Sequence, residues 1–390
     1  MTRPTVEVAD LLCTHGDRFV AENRSWLSYQ QLKVLRAIER CRTPALGGHF
    51  DQCSGCGHSA ISFNSCRNRH CPKCQAQARQ RWLACREQEL LCLSYFHVVF
   101  TLPHELNRLC QRNPALLYNL LFRSVAETLL EVAADPRHLG AEIGFLAILH
   151  TWGQNLLLHP HLHCLVPVGG LSPDHHRWVQ PRYRFFLPVG VLKKVFRGKF
   201  LEGLKRAYRR NKLSLGGATA PLKDPKAFRA LLQSLHRKNW VVYVKQALAG
   251  PQPVLRYLGR YTHRVAISNH RLVSFDGEQV TFRWKDYARG NKQRLMTLSA
   301  SEFLRRYVQH VLPHRFVRIR QFGFLANRHR SKSIALIRHL LASEPQPQTA
   351  HVAASGEAQW QCPRCGNLMQ ISHRLTAREL YLSCERLDTS

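Results

Sequence analysis

Residues 159–170 read HPHLHCLVPVGG. In an extended strand successive side chains point to opposite faces, so His159, His161 and His163 would share one face while Leu162 and Cys164 take the other. Two imidazoles in that register can chelate one ion, and neutral imidazole is a common metal ligand. A polar strand face with its histidines bonded to neighbours is the ordinary alternative. Three in alternation, running into CLVPV, favour the metal. The cysteines offer a second kind of metal chemistry. Cys53-x-x-Cys56 and Cys71-x-x-Cys74 have 14 residues between them, close to the spacing of four-thiolate zinc knuckles. The spacing predicts one structural zinc held by Cys53, Cys56, Cys71 and Cys74. Such a site is closed, with no open position for substrate, and serves to hold a small domain together. Cys66, His58 and His70 are spare ligands nearby, which leaves a Cys-to-His exchange or a second ion open. Arg67, Arg69 and Lys73 in the same block suggest a DNA-facing surface. A further pair, Cys362 and Cys365, is a candidate second zinc site whose other ligands would be His373 and Cys384 or residues from elsewhere in the fold.

The segment RYLGRYTHRV (256–265) places Tyr257 and Tyr261 four residues apart, on one face if helical. Gly259 weakens that helix by about 1 kcal/mol relative to Ala. Two core or surface tyrosines would be unremarked by themselves. Their company points further: an ion-holding histidine face and the ring of Arg256, Arg260 and Arg264 are what phosphoryl transfer to tyrosine requires. The ion polarises the scissile phosphate, the arginines offset its charge and the phenol attacks.

Composition narrows the partner. Lys and Arg number 57 against 25 Asp and Glu, a formal charge of +32. A surplus that large on a folded chain points to a polyanion, nucleic acid before membrane; a ribosomal or merely adhesive basic protein is the bland alternative. Ten basic residues and one acid lie in 182–210. In FRWKDYARGNKQR (282–294) aromatic and basic side chains interleave, so Arg283 and Lys285 could track a single strand while Phe282, Trp284 or Tyr287 stack on bases. Strand alternation that buries the aromatics and exposes the charges accounts for the same pattern. No run of about 18 apolar residues occurs and the start lacks an apolar core segment, so neither a membrane span nor a signal peptide is expected. The 14 cysteines are accordingly read as metal ligands in a reducing, cytoplasmic compartment rather than as disulfides.

These residues need elements to position them. At 390 residues the chain exceeds what one core usually serves. Apolar periodicity predicts helices over 23–40, after the cysteine block through QAQARQRWLACREQELLCL, and over 115–135. Strand composition marks 94–102, 141–152, 161–168 and 241–248. Basic helices are expected within 189–237, a helix over 253–263, three short strands at VAIS, RLVSF and QVTFRWKDY, and a helix in SASEFLRRYVQHVL. The Pro/Gln/Ala/Ser-rich stretch 342–359 reads as a linker. The resulting division is a helical, zinc-binding DNA-binding domain at 1–93, a catalytic domain at 94–340, and a linker and tail at 341–390.

Zinc block CRNRHCPKCQ, histidine strand HPHLHCLV, tyrosine pair YLGRYTHRVAIS and basic FRWKDY, in that order, resemble the rolling-circle transposases of the IS-ninety-one family, two-tyrosine members of the HUH endonucleases (histidine, hydrophobic residue, histidine). The resemblance spans about residues 10 to 340. It implies an α+β fold in which a zinc-binding domain precedes a ferredoxin-like HUH domain, a central antiparallel sheet flanked by helices. The histidine strand would be central and the tyrosine helix packed beside it. It implies His161 and His163 as the paired ligands of a catalytic Mg²⁺ or Mn²⁺, and Tyr257 and Tyr261 as nucleophiles. Gln154 is the first candidate for a third ligand, because a related eukaryotic group carries a Gln upstream of its histidine strand; His159 and His263 are alternatives. The implied partner is DNA, single-stranded at transposon ends, met in the bacterial cytoplasm at the nucleoid. A plasmid replication initiator or relaxase shares the histidine and tyrosine chemistry, and a non-catalytic zinc-finger DNA binder would use only the charge and the cysteines. A three-carboxylate transposase finds no marked triad. HPHLH lacks the His-Glu-x-x-His base of a metalloprotease, and no Gly-x-x-x-x-Gly-Lys-Ser/Thr loop is present.

Overall fold

The computed structural model describes residues 4–87, 89–181, 187–245, 254, 259, 265–286, 289–342 and 360–380. In chain order its strands are β1 (Gly48–Cys53), β2 (Ser59–Phe63), β3 (Tyr95–Thr101), β4 (Gly144–Trp152), β5 (Leu158–Pro167), β6 (Gly170–Leu171), β7 (Trp178–Val179), β8 (Val241–Lys245), β9 (Leu272–Phe275), β10 (Gln279–Asp286), β11 (Lys292–Ser299), β12 (Ile319–Gly323) and β13 (Met369–Leu375). The architecture is α+β with antiparallel sheets. The chain forms two compact units, each made of separated stretches: 1–80 with 263–311 and 349–390, and 81–262 with 312–348. These stretches cross the bounds of the linear division at 93/94 and 340/341. Long-range contacts, which leave no local composition signal, join the later stretches to the N-terminal unit: β13 pairs with β1, and Asn269 hydrogen-bonds to Val8 and Glu7 at the start of the first helix.

In the first unit, helices Val8–Asn23 and Tyr29–Glu39 pack apolar faces that bury Val8, Leu11, Phe19, Val34 and Ile38. The second is capped by Ser28, whose hydroxyl accepts from the Gln31 amide while the Gln31 side chain accepts from the Ser28 amide. That reciprocal cap sets the first helical residue, Tyr29, six residues later than the apolar pattern suggests. One sheet of this unit runs β13-β1-β2, the other β11-β10-β9. VAIS is not a strand, and β11 was not anticipated because its KQRLMTLS is largely exposed. Helix Ala300–Val308, capped by Ser299, buries Phe303 and Tyr307.

The second unit is built on a five-stranded antiparallel sheet in the order β12-β4-β5-β3-β8. The histidine strand β5 is its middle strand. Both faces are covered, so β4, GFLAILHTW, reads as a nearly unbroken apolar run and is buried throughout. Phe96, Val98, Phe100, Phe145, Ala147, Leu149, Leu162, Cys164 and Val166 point into the main core, which helices Pro114–Ala134 and Val189–Arg209 close with Leu117, Leu121, Phe196 and Phe200. The opposite face carries Tyr95, Leu146, Ile148 and Leu165, packed with Val254. By alternation this is also the face of His150, His161 and His163. The sheet thus has an apolar side that fixes it on the helices and a side that displays imidazoles.

Candidate metal centres

The cysteine reading is corrected in its pairing. Cys53 and Cys56 do not meet Cys71 and Cys74. Two separate quartets form, Cys41 with Cys66, Cys71 and Cys74, and Cys53 with Cys56, Cys362 and Cys365, each with its sulfurs within 4.8 Å of one another. The cause is the hairpin between the pairs. Cys53 and Cys56 lie at the tip of β1–β2, while Cys41 and Cys66 flank its base. Five or six extended residues at roughly 3.3 Å each separate tip from base by about 17–20 Å, too far for one ion.

In the base quartet, Cys74 Sγ lies 3.5 Å from Cys41 Sγ and 3.6 Å from Cys66 Sγ. The Cys66 amide donates to Cys41 Sγ at 3.5 Å, and hydrogen bonding from the Cys66 thiol brings the Cys41 thiol down to about 7. Its surroundings tie it into the unit: the Tyr307 hydroxyl donates to the His70 carbonyl at 2.5 Å, and Lys73 pairs with Glu7 at 2.6 Å in a largely buried bridge. In the tip quartet the backbone amides of Cys56 and Gly55 hold the Cys53 thiol down to about 6. His373 is on β13, stacked on Phe50, and outside the quartet; Cys384 lies outside the described residues.

The histidine face holds a third cluster. His150, His161 and His163 are buried and bring their ligand nitrogens within 4.8 Å of one another. His150 comes from β4, directly opposite His161 in the β4–β5 register. The rings of His150 and His163 lie 4.6 Å apart, those of His161 and His163 4.8 Å. Tautomers follow from the neighbours. His161 Nδ1 is 2.6 Å from the His159 carbonyl, which can only accept, so Nδ1 carries the proton and Nε2 the lone pair. That Nε2 is 3.1 Å from His163 Nε2. Two nitrogens sharing one ion at about 2.1 Å and at right angles would be about 3.0 Å apart. The donor set therefore fits a single divalent ion.

Sequence reasoning missed His150, a lone histidine in an apolar run, and also His97 on β3. His97 Nε2 lies 2.9 Å from His163 Nδ1, and burial, with the Lys245 charge behind it, pushes its pKa down to about 4. A neutral His97 can accept at Nε2 from the His163 Nδ1–H, which would leave His163 Nε2 to the cluster, the usual arrangement behind a metal-bound histidine. Gln154 lies in the β4–β5 turn, half-buried, and His159 is exposed on β5 outside the three-histidine group.

Tyr257, Tyr261, Arg256, Arg260, Arg264, His263 and Tyr287 lie outside the described residues. Val254 and Gly259, on either side of Tyr257, are helical and buried, and Val254 packs against Leu146, Ile148 and Leu165 on the histidine face. On β10, Phe282 is fully buried against Phe303, while Arg283 and Lys285 alternate onto the exposed side and Trp284 is half-buried. Alternation therefore accounts for Phe282, which is core and not a stacking platform.

Two family models match the chain: one described as "Putative transposase" over residues 144–333, and one described as "Transposase zinc-binding domain" over residues 11–102. A protein of Sinorhizobium fredii, named a "Putative transposase", is 52% identical over 375 residues, 94% of each chain. The transposase for insertion sequence element IS801 of Pseudomonas savastanoi pv. phaseolicola is 30% identical over 321 residues, 78% of this chain and 75% of its own. No solved structure matches significantly. No helix among the described residues is long and apolar enough to cross a membrane.

Proposed function

Since the chain belongs to the transposases of the IS-ninety-one and IS801 type, with their zinc-binding domain, we propose that it cuts and rejoins single-stranded DNA through covalent links to Tyr257 and Tyr261. The observation that carries this reading is the convergence of His150, His161 and His163 on the middle strands of the sheet, on the face where Val254, three residues before Tyr257, is packed. An ion held there, Mn²⁺ or Mg²⁺, would polarise a scissile phosphate. Of the two, the all-nitrogen donor set suits Mn²⁺ better, because Mg²⁺ prefers oxygen ligands. His150 is the proposed third ligand.

The chain's own groups do the rest. A tyrosine oxygen attacks phosphorus, forming the Tyr O–P bond as the P–O3′ bond breaks. The phenolic proton ends on the departing oxygen, leaving a free 3′-OH and a 5′-phosphotyrosine. A 3′-OH later attacks that phosphorus, reseals the strand and returns the proton to the tyrosine. The bond energy is kept throughout, so no nucleotide triphosphate is consumed. With a phenol pKa of about 10, Arg256, Arg260 and Arg264 would favour phenolate and offset phosphate charge. Arg283 and Lys285, exposed on β10, would contact the DNA backbone, and such contacts position the strand without reading sequence. Incubating the protein with a labelled single-stranded transposon end and Mn²⁺, then running a denaturing gel, tests this. A labelled band at protein size is expected; cleavage yielding only free DNA ends would contradict tyrosine attack.

A further inference from the structure

We propose that the chain holds a second zinc ion on Cys53, Cys56, Cys362 and Cys365, a clasp that fastens the C-terminal segment to the tip of the N-terminal hairpin. The zinc-binding family match ends at residue 102 and contains all four ligands of the base quartet but only half of this one. The proposal is independent of the strand-transfer reading, because it rests on the thiols alone.

The two halves are the same device built from different sequences, CSGCG and CPRCG. In each, the amide two residues on donates to the first thiol: Gly55 N to Cys53 Sγ and Arg364 N to Cys362 Sγ, both at 3.4 Å. In each, the glycine after the second cysteine has a left-handed backbone, φ 70° at Gly57 and 76° at Gly366, and bonds back to the first carbonyl at 3.1 and 2.9 Å. Amides aimed at sulfur stabilise thiolate, the form that binds metal. The knuckles then face each other. Cys53 Sγ is 3.4 Å from Cys365 Sγ, and Cys56 Sγ is 3.7 Å from Cys362 Sγ. These separations are near the about 3.8 Å edge of a tetrahedron with 2.3 Å Zn–S bonds, and far beyond the about 2.05 Å of a disulfide.

The backbone supports the approach. Strand β13 pairs with β1 from Gly48↔Leu375 to Cys53↔Met369, which delivers the second knuckle to the first. A Cβ built on Gly55 would run into the Asn367 side chain, so the knuckles meet without space to spare. A four-thiolate tetrahedron suits zinc, with iron the main competitor for such a set.

Metal analysis of the full-length protein tests the clasp. Two zinc ions per chain are expected, falling to one in Cys362→Ser/Cys365→Ser and to one in Cys53→Ser/Cys56→Ser. Thiol alkylation of the native wild type, mapped by mass spectrometry, should find Cys362 and Cys365 protected and then reactive after chelation. This second measurement decides the matter even where a variant does not fold. One zinc per wild-type chain with Cys362 and Cys365 freely alkylated overturns the proposal, as does iron in place of the second zinc.

Discussion

Replacing His150 by Ala separates a ligand from a packing residue. The ring is 2% exposed and lies on Trp152 at 4.7 Å and 18°. Its loss leaves a small void and should cost about 1–3 kcal/mol of stability, a fall in Tm of roughly 2–10 °C for a domain of this size. Against a total of about 5–15 kcal/mol the protein stays overwhelmingly folded. The metal effect is larger. Removing a group that only orients a ligand typically costs about 10–100-fold in metal affinity, so loss of the ligand itself should exceed 100-fold, or about 2.8 kcal/mol. The assay is single-strand cleavage titrated with Mn²⁺, beside thermal melting and DNA binding by fluorescence anisotropy. Cleavage should vanish at Mn²⁺ levels that saturate the wild type, while DNA affinity changes little. A variant that melts early yet cleaves with an unshifted Mn²⁺ midpoint would refute His150 as a ligand and leave it a packing residue.

His161→Ala or His163→Ala should abolish cleavage and spare DNA binding, since affinity comes from Lys and Arg on phosphates; wild-type nicking by either would remove the metal site. His97→Ala should raise the Mn²⁺ requirement about 10–100-fold, with His97→Gln restoring part of it through its amide oxygen; equal damage from both would assign His97 to packing. Phe282→Ala should destabilise its unit by about 3–5 kcal/mol, read by chemical denaturation. Trp284→Ala, on a half-buried ring, should weaken single-strand binding by about 1–3 kcal/mol; unfolding instead would make it core.

The sequence shows the histidine strand because alternation is local: His161 and His163 stand two apart in one strand, and their face follows from the pleat. His150 was hidden because its partnership is made across a hairpin. The HTWGQNLLLH stretch carries the signal, since a turn at Gly153–Leu157 sets His150 opposite His161. The cysteines misled for the opposite reason. A 14-residue gap suits one knuckle site, yet here it encloses a strand whose length separates the pairs. Cys41 and Cys66, one on either side of the hairpin, were the legible clue. Edge strand β12 and clasp strand β13 had none, because each pairs with a strand more than 160 residues away and short half-exposed strands lack a strong pattern.

The claim on which the account rests is covalent attack by Tyr257 and Tyr261, and the double Tyr257→Phe/Tyr261→Phe variant tests it most directly. Each single change should impair transposition, because two strand ends are processed per cycle, and one single variant should still nick DNA through the remaining phenol. The double change removes only two oxygens and keeps the ring shape. It should bind DNA and metal as the wild type does and give no protein–DNA adduct, while digestion of the wild-type adduct yields a nucleotide-bearing peptide containing Tyr257 or Tyr261. A covalent adduct that persists in the double variant would contradict the account and assign the attack to another nucleophile.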